Sequence, residues 1–377
     1  MTKELSKLEK NDFRKNAYDM IYLAACAVNG KVPKAERVAD MSLDDLLYVC
    51  KKHSMTAVCA YALESAGIKN DQFKQEKEKA IRKNILLDAE RSRLFSRFEE
   101  EGIWYIPLKG AILKDWYPAL GMRQMSDNDI YFDMSRRDDS RRIMKELGFT
   151  FKGHSELVDE YIKEPVYNFE LHCELLIKHI VGDIADAFLD MKERKIKDTD
   201  NSFGYHFSNE DFYAYMIAHE YKHYIKGGTG VRSLLDEYIF WRHAGDSVDM
   251  ELINDRLTSI GLADHEKRER ALAIKLFTMN PLSPEDKKEL DYYIFSGTYG
   301  SFEHDVKNGY NKSYGTASYI LRRIFPPMSM YKAYFNWAYR HKWLLPVAWC
   351  IRTVRYLTNK REKMKLELNM LFHNNKQ

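Results

Sequence analysis

Cysteine is sparse and scattered in this chain. The five cysteines, at positions 26, 50, 59, 173 and 350, include no CxxC pair. Odd in number and dispersed, they argue against a disulfide framework and a zinc ribbon and point to a reducing cytosol. Proline (9) and glycine (18) are few for 377 residues, which leaves little room for disordered linkers. No apolar run approaches the ~20 residues that span a bilayer. The longest, Trp343 to Ile351, is about half that length and contains Pro346, so an integral membrane protein is excluded. The opening stretch, MTKELSKLEKNDFRKN, is charged throughout and lacks the apolar centre of a signal peptide, so a cytoplasmic location is expected. No internal repeat or low-complexity segment is visible.

Net charge is also small, at +3, but it hides a division. Residues 306–377 hold 14 Lys+Arg and 2 Asp+Glu, whereas residues 1–305 hold 45 and 54. Such asymmetry marks an interaction tail or a tail docked on an acidic body. Aromatics are interleaved among the tail's basic residues, among them Tyr331, Trp337, Trp343 and Trp349. The first reading is an amphipathic helical cap whose aromatics enter the core. The alternative is a polyanion contact, either RNA through stacking or an anionic membrane surface through interfacial Trp.

What is present is enough apolar residue, 45%, to build cores under a surface fed by 31% charged residues. At ~100–200 residues per domain, two or three domains are expected. Residues 1–95 read as helical. The spacing predicts a long helix over 72–101, with Ile81, Ile85, Leu86, Ala89, Leu94 and Phe98 near one face and Gly102 ending it. The texture then changes to a mixed α/β unit over 96–205. Ile103–Leu108 is a short apolar run with the signature of a buried strand. Lys109-Gly110-Ala111 follows and opens a helix, Ile112 to Tyr117, before Pro118. Ser126–Asp133 reads as a second strand, Ser135–Leu147 as a charged helix, and Phe149–Phe151 and Glu164–Leu176 as further strands. In the last of these Phe169, Leu171 and Cys173 point one way, and Glu170, His172 and Glu174 the other. Residues 206–305 are helical again, and the tail, 306–377, is basic and helical. The fold class is α+β: a small mixed-sheet core flanked by mainly helical regions.

Chemistry concentrates in the α/β unit. A strand ends in Lys-Gly where a helix begins. About 17 residues on, Asp127 and Asp129 fall on one face of the next strand. Two carboxylates on one face repel, and a divalent cation with a preference for hard oxygen removes that cost. Glu170, on a separate strand, is the candidate third acid. Gly110 at the turn lets backbone N–H groups approach a phosphate, and Lys109 adds a positive charge beside it. Arg123 is a candidate bidentate phosphate clamp, with a surface salt bridge as the competing reading.

The stretch Ile106–Leu113, then Tyr117-Pro118, Gly121-Met122-Arg123 and Asp127–Phe132 resembles the uncharacterised nucleotidyltransferase family of the polymerase-beta-like superfamily. The likeness extends to Phe169-Glu170-Leu171-His172, to the helix with His219 and His223, to Arg232 and Asp236, and to Trp343–Pro346. The resemblance implies a small twisted mixed sheet flanked by helices. It also implies transfer of a nucleoside monophosphate from a nucleoside triphosphate to an acceptor, with Mg²⁺ or Mn²⁺ held by carboxylates. On that basis Asp127, Asp129 and Glu170 are the catalytic and metal residues. Lys109, Gly110, Arg123, His172, His219, His223 and Arg232 are the nucleotide and phosphate residues. The acceptor, whether small molecule, protein or RNA, is not implied. The wider superfamily usually carries Gly-Ser at the turn. Here Lys109-Gly110-Ala111 lacks that hydroxyl, which leaves open compensation by Lys109 or a catalytically silent nucleotide-binding or scaffold protein.

A second motif competes. His219-Glu220-Tyr221-Lys222-His223 matches HExxH, in which paired histidines bind zinc and the Glu is a general base. Gly227, Gly228 and Gly230 break the helix soon after, and Glu237 is the nearest downstream acid. A zinc hydrolase is therefore the second alternative function. The other readings of this helix are histidines packed against the core, or histidines lining the nucleotide cleft. Asp236 is expected to pair with Arg232 at i, i+4 spacing.

Overall fold

The computed structural model describes residues 7–154, 157–176, 178–297, 325–326 and 328–359. Five helices come first: α1 (Lys7–Val28), α2 (Ala35–Ala39), α3 (Leu43–His53), α4 (Thr56–Ser65) and α5 (Asp71–Glu101). Asn70 caps α5 by accepting from the backbone N–H groups of Gln72 and Phe73, and Gly102 ends it in the left-handed region (φ 67°). The predicted length of this helix is thus observed, but its buried face is rotated. Phe73, Ala80, Asn84, Leu87, Leu94 and Phe98 are buried, whereas Ile85 and Ala89 are exposed. The apolar residues of α5 exceed one face, and the sheet takes the stripe that ends at Phe98.

The α/β unit follows: β1 (Tyr105–Pro107), α6 (Gly110–Leu113), β2 (Asn128–Phe132), α7 (Arg137–Glu146), β3 (Thr150–His154), β4 (Val158–Lys163) and β5 (Tyr167–His172). The sheet order is β1-β2-β5-β4-β3. Only β2 and β5 run parallel; the other pairs are antiparallel. Pro107 is tolerated because β1 is at an edge. The run predicted as one strand from Glu164 is half of a hairpin whose first arm, β4, has no apolar alternation to announce it. Asp159 in β4 is buried because Arg137 and Arg141 of α7 pair with it, at 2.7 and 2.9 Å. One sheet face (Ile130, Phe132, Phe169, Leu171) packs on α5 and α7.

After α8 (Lys178–Val181) come a 3₁₀ segment (Gly182–Lys192) and a two-stranded ribbon, β6 (Ile196–Lys197) with β7 (Tyr205–His206). The helices then resume: α9 (Asn209–Tyr224), α10 (Val231–Ala244), α11 (Met250–Ser259), α12 (Ala263–Thr278) and α13 (Pro284–Ser296). Ser283 and Asp286 form a reciprocal capping box at the start of α13. The first helices and α10, α12 and α13 share one apolar core, in which Met20, Leu46, Val58, Leu234, Phe277 and Tyr293 are fully buried. A second core joins α9 and α11 to the sheet through Ile106, Leu108 and Tyr131.

In the tail, the described residues form α14 (Met328–Tyr334), α15 (Asn336–Arg340) and α16 (Leu345–Asn359). Tyr331, Phe335, Ala338 and Ala348 make a small cluster of their own, while Trp337 and Trp343 are exposed. Arg322, Arg323, Lys360, Arg361, Lys363 and Lys365 lie outside the described residues. Among the described residues, no helix is long and apolar enough to cross a membrane. Four of the cysteines are buried thiols and Cys350 is exposed.

Candidate functional site

The site grows out of the parallel pair at the centre of the sheet. Alternation sends Ile130 and Phe132 to the α5 face and Asp129 to the other. In β5 the same rule sends Phe169 and Leu171 one way and Glu170 and His172 the other. Parallel register then sets Asp129 directly opposite Glu170 and Tyr131 opposite His172. Asp127 stands one residue before β2 and shares the side of Asp129. Ligand atoms of Asp129, Glu170 and His172 all lie within 4.8 Å of one another. Asp127 is not in that compact group; its Oδ1 accepts from Ser126 Oγ at 2.9 Å.

Lys109 balances this group. Its Nζ lies 3.1 Å from Asp129 Oδ2. The chain reaches that position through a left-handed turn, with Lys109 at φ 44°, ψ −110°. A non-glycine residue there is strained by about 1–3 kcal/mol. The turn is fixed from both ends. Leu108 N–H donates to the Asp129 carbonyl, and the Lys109 carbonyl accepts from Ile112 and Leu113. The helix expected at Ile112–Tyr117 is instead one α turn from Gly110 and a 3₁₀ turn, Lys114–Trp116. Pro118 stops it too soon for a longer helix to form.

Electrostatics separate the acids. Burial pushes the Asp129 carboxyl up, but Lys109 and His172 outweigh burial and hold it well below the usual carboxylate range. Burial and the neighbouring charge of Asp129 raise Asp127. Burial, Asp129 and Asp127 raise Glu170 to about 7. Burial also lowers His172, against the pull of Asp129. Its Nε2 stands 2.8 Å from Asp129 Oδ1, and Nε2–H donates to the ionised carboxylate.

These residues line a cleft of about 430 Å³ between the sheet and α9–α10. Lys109, Gly110, Arg123, Asp127, Asp129, Glu170, His219, His223 and Arg232 all face it; His172 lies just behind, bonded to Asp129. Arg123 has a protein partner. Its Nε and Nη2 donate to the two Asp236 oxygens at 2.8 and 2.9 Å, and Tyr117 Oη adds a third bond at 2.7 Å. This corrects the expected Asp236–Arg232 pair: Asp236 is buried and turns to Arg123, while Arg232 Nη1 donates to the Gln124 carbonyl. Gly110 makes that possible, since a Cβ there would sit 2.3 Å from Arg123 Nη1. In the HExxH stretch, His219 and His223 rings lie 4.9 Å apart at the cleft. Glu220 lines the cleft too, with Oε2 3.4 Å from His265 Nε2 on α12.

Sequence reasoning missed two groups. Lys222, one of the unspecified positions of HExxH, is carried to the cleft one turn from His219. Its Nζ donates to His219 Nε2 at 2.9 Å, and burial and the charge of Lys109 lower it to about 7. Lys83 of α5 donates to the Ser126 carbonyl at 2.9 Å and feels the charge of Asp127. Neither residue occupies a position that a motif of the sequence specifies.

Residues 39–278 match the model of a family described as uncharacterised nucleotidyltransferase, and the chain belongs to that family. No curated protein and no solved structure matches it.

Proposed function

We propose that this protein is a metal-dependent nucleotidyltransferase of the cytoplasm, moving a nucleoside monophosphate from a nucleoside triphosphate to an acceptor still to be identified. The observation that carries the reading is the meeting of Asp129 and Glu170 across parallel strands, with Asp127 beside them, in a cleft that also holds Lys109, Lys222 and Arg232. The cleft volume lies within the about 300–1,000 Å³ usual for small-ligand sites.

The donors fit the implied cation. Buried Asp129, half-buried Asp127 and a glutamate supply hard oxygens, and the burial and mutual repulsion that raise Asp127 and Glu170 are offset by a divalent charge. Asp127, Asp129 and Glu170 would hold Mg²⁺ or Mn²⁺, which when bound neutralises the triphosphate and polarises the reacting phosphorus. His172 keeps Asp129 oriented through its hydrogen bond. Lys109 serves as counter-charge to Asp129 until substrate arrives, and its strained turn fixes its reach. Lys222 and Arg232 meet phosphate oxygens, and a Lys lowered to about 7 regains its proton beside a polyanion. Glu170, paired with Asp129 across the parallel strands, is the carboxylate placed to accept the proton of the acceptor hydroxyl. Ala111 is buried and does not line the cleft, so the missing hydroxyl leaves this cationic surface intact.

The competing reading is nucleotide binding without turnover, and the Lys109–Asp129 ion pair is what favours it. Purified protein with nucleoside triphosphates, Mg²⁺ or Mn²⁺ and candidate acceptors should release pyrophosphate. Asp127→Asn with Asp129→Asn should reduce release by about 10³-fold, or ~4 kcal/mol. Nucleotide binding with no release under any acceptor supports the silent protein; neither binding nor release ends both readings.

A further inference from the structure

A second group of ionisable side chains stands in the far wall of the same cleft, on the helices. Glu220 of α9, and His265 and Glu269 of α12, bring one ligand atom each to within 4.8 Å of the others, and all three are buried or nearly so. His265 Nε2 is 3.4 Å from Glu220 Oε2 and 3.4 Å from Glu269 Oε2. Those separations are long for charged hydrogen bonds, which close to about 2.7–2.9 Å. They match the spacing of donors around a tetrahedral ion, because ligands about 2.0–2.1 Å from the metal lie about 3.3 Å from one another.

The unused oxygens point to the same conclusion. Glu220 Oε1 and Glu237 Oε2 are buried and accept no hydrogen bond among the described residues, and Glu269 Oε2 has only the long His265 contact. Glu237 and Glu269 are each only 1% exposed. A buried acceptor left unmade costs about 1–3 kcal/mol, so two of them beside the long His265 contacts call for a ligand. The remaining contacts do not supply one. Tyr213 Oη donates to Glu237 Oε1 at 2.7 Å, and Tyr293 Oη to Glu269 Oε1 at 3.3 Å. Each satisfies only one oxygen. Glu220, Glu237 and Glu269 all line the cleft, so an ion has a way in.

We propose that Glu220, His265 and Glu269 form a cation seat for a divalent transition metal, Zn²⁺ or Mn²⁺, separate from the Asp127–Asp129–Glu170 group. One imidazole with carboxylates suits those ions better than Mg²⁺, which prefers oxygen alone and retains its water. Glu220 is thereby a ligand, rather than the general base that an HExxH assignment makes it, and His219 and His223 stay outside the seat. The seat ties α9 to α12 across the wall of the cleft.

The test uses the full chain carrying Asp127→Asn and Asp129→Asn, so that it does not depend on the proposed transferase chemistry. Stripped with chelator and titrated with Zn²⁺ or Mn²⁺, this protein should bind one equivalent per chain, and its melting temperature should rise with metal. Adding Glu269→Gln should weaken binding at least about tenfold, the scale of loss seen even for outer partners of a metal site. Glu269→Gln removes a repelling buried charge and keeps the shape, so folding should survive; circular dichroism and melting of the stripped protein check this. Adding His219→Ala and His223→Ala should leave the equivalent in place. No binding in the parent, binding indifferent to Glu269→Gln in a folded variant, or binding lost with the two histidines would each overturn the seat.

Discussion

On the strand side of the cleft, Asp129 meets a lysine 3.1 Å away and a donating imidazole at 2.8 Å. On the helix side, Glu220 and Glu269 share one imidazole, 3.4 Å from each. The residue types are nearly the same, but their protonation is opposite. Lys109 and His172 hold Asp129 ionised against burial, while burial and Glu269 push Glu220 up to about 8. His265 answers by rising to about 10, because Glu220 and Glu269 outweigh the burial that opposes its charge. A carboxylate with its own cation stays charged and available. Carboxylates that share too little cation keep protons, or wait for a metal.

The largest effect that would break this comparison is on stability. Lys109→Met strands Asp129 without its counter-charge and should cost about 3–5 kcal/mol. Added Mg²⁺ should restore part of the lost melting temperature. If the variant melts like the parent, Lys109 is not what keeps Asp129 ionised.

Gly110→Ala tests the floor beneath the strand side. The added methyl meets Arg123 Nη1 and should displace the Arg123–Asp236 pair, at a cost of about 1–3 kcal/mol. Nucleotide affinity should fall with it. An unchanged melting curve would mean that the glycine serves only the backbone.

The pH dependence of stability should separate the two sides. Asp129 has a folded pKa below its ordinary 3.8, so its contribution is present above that value and lost as pH falls further. Glu220 is raised from 4.5 to about 8, so its contribution is complete below 4.5 and lost as pH rises through 8. Denaturation of the metal-free protein should show both limbs. Asp129→Asn should flatten the acid limb and Glu220→Gln the alkaline one; a limb that survives its variant has another source.

The smallest expected effect concerns the HExxH histidines. His219→Ala with His223→Ala should change kcat/KM by less than about tenfold, or ~1.4 kcal/mol, through contacts to nucleotide. Abolished activity would make them central to the cleft's chemistry.

Much of the strand side was legible along the chain. Asp129 and Glu170 stand on strands, and Asp127 just ahead of one, whose period of two is printed in Ile130, Phe132, Phe169 and Leu171. The helix side was not. Glu220 was read as part of a local motif, and nothing near it in sequence announces His265 or Glu269, which lie on another helix. Lys222 was passed over for the same reason: its neighbours in the cleft, Lys109 and Asp129, are over ninety residues away.

By itself, then, the sequence determined what is local. It set the reach of α5 with its Asn70 and Gly102 ends, the faces of β2 and β5, and the break after α9. Fixed dihedral periods carry such information over a few residues. Only the tertiary structure decided partners. Arg123 pairs with Asp236, Asp236 with Arg123 rather than Arg232, and Glu220 lies against His265. Buried charges take the counter-charge that packing brings within about 3–4 Å, and packing joins elements that the chain keeps far apart.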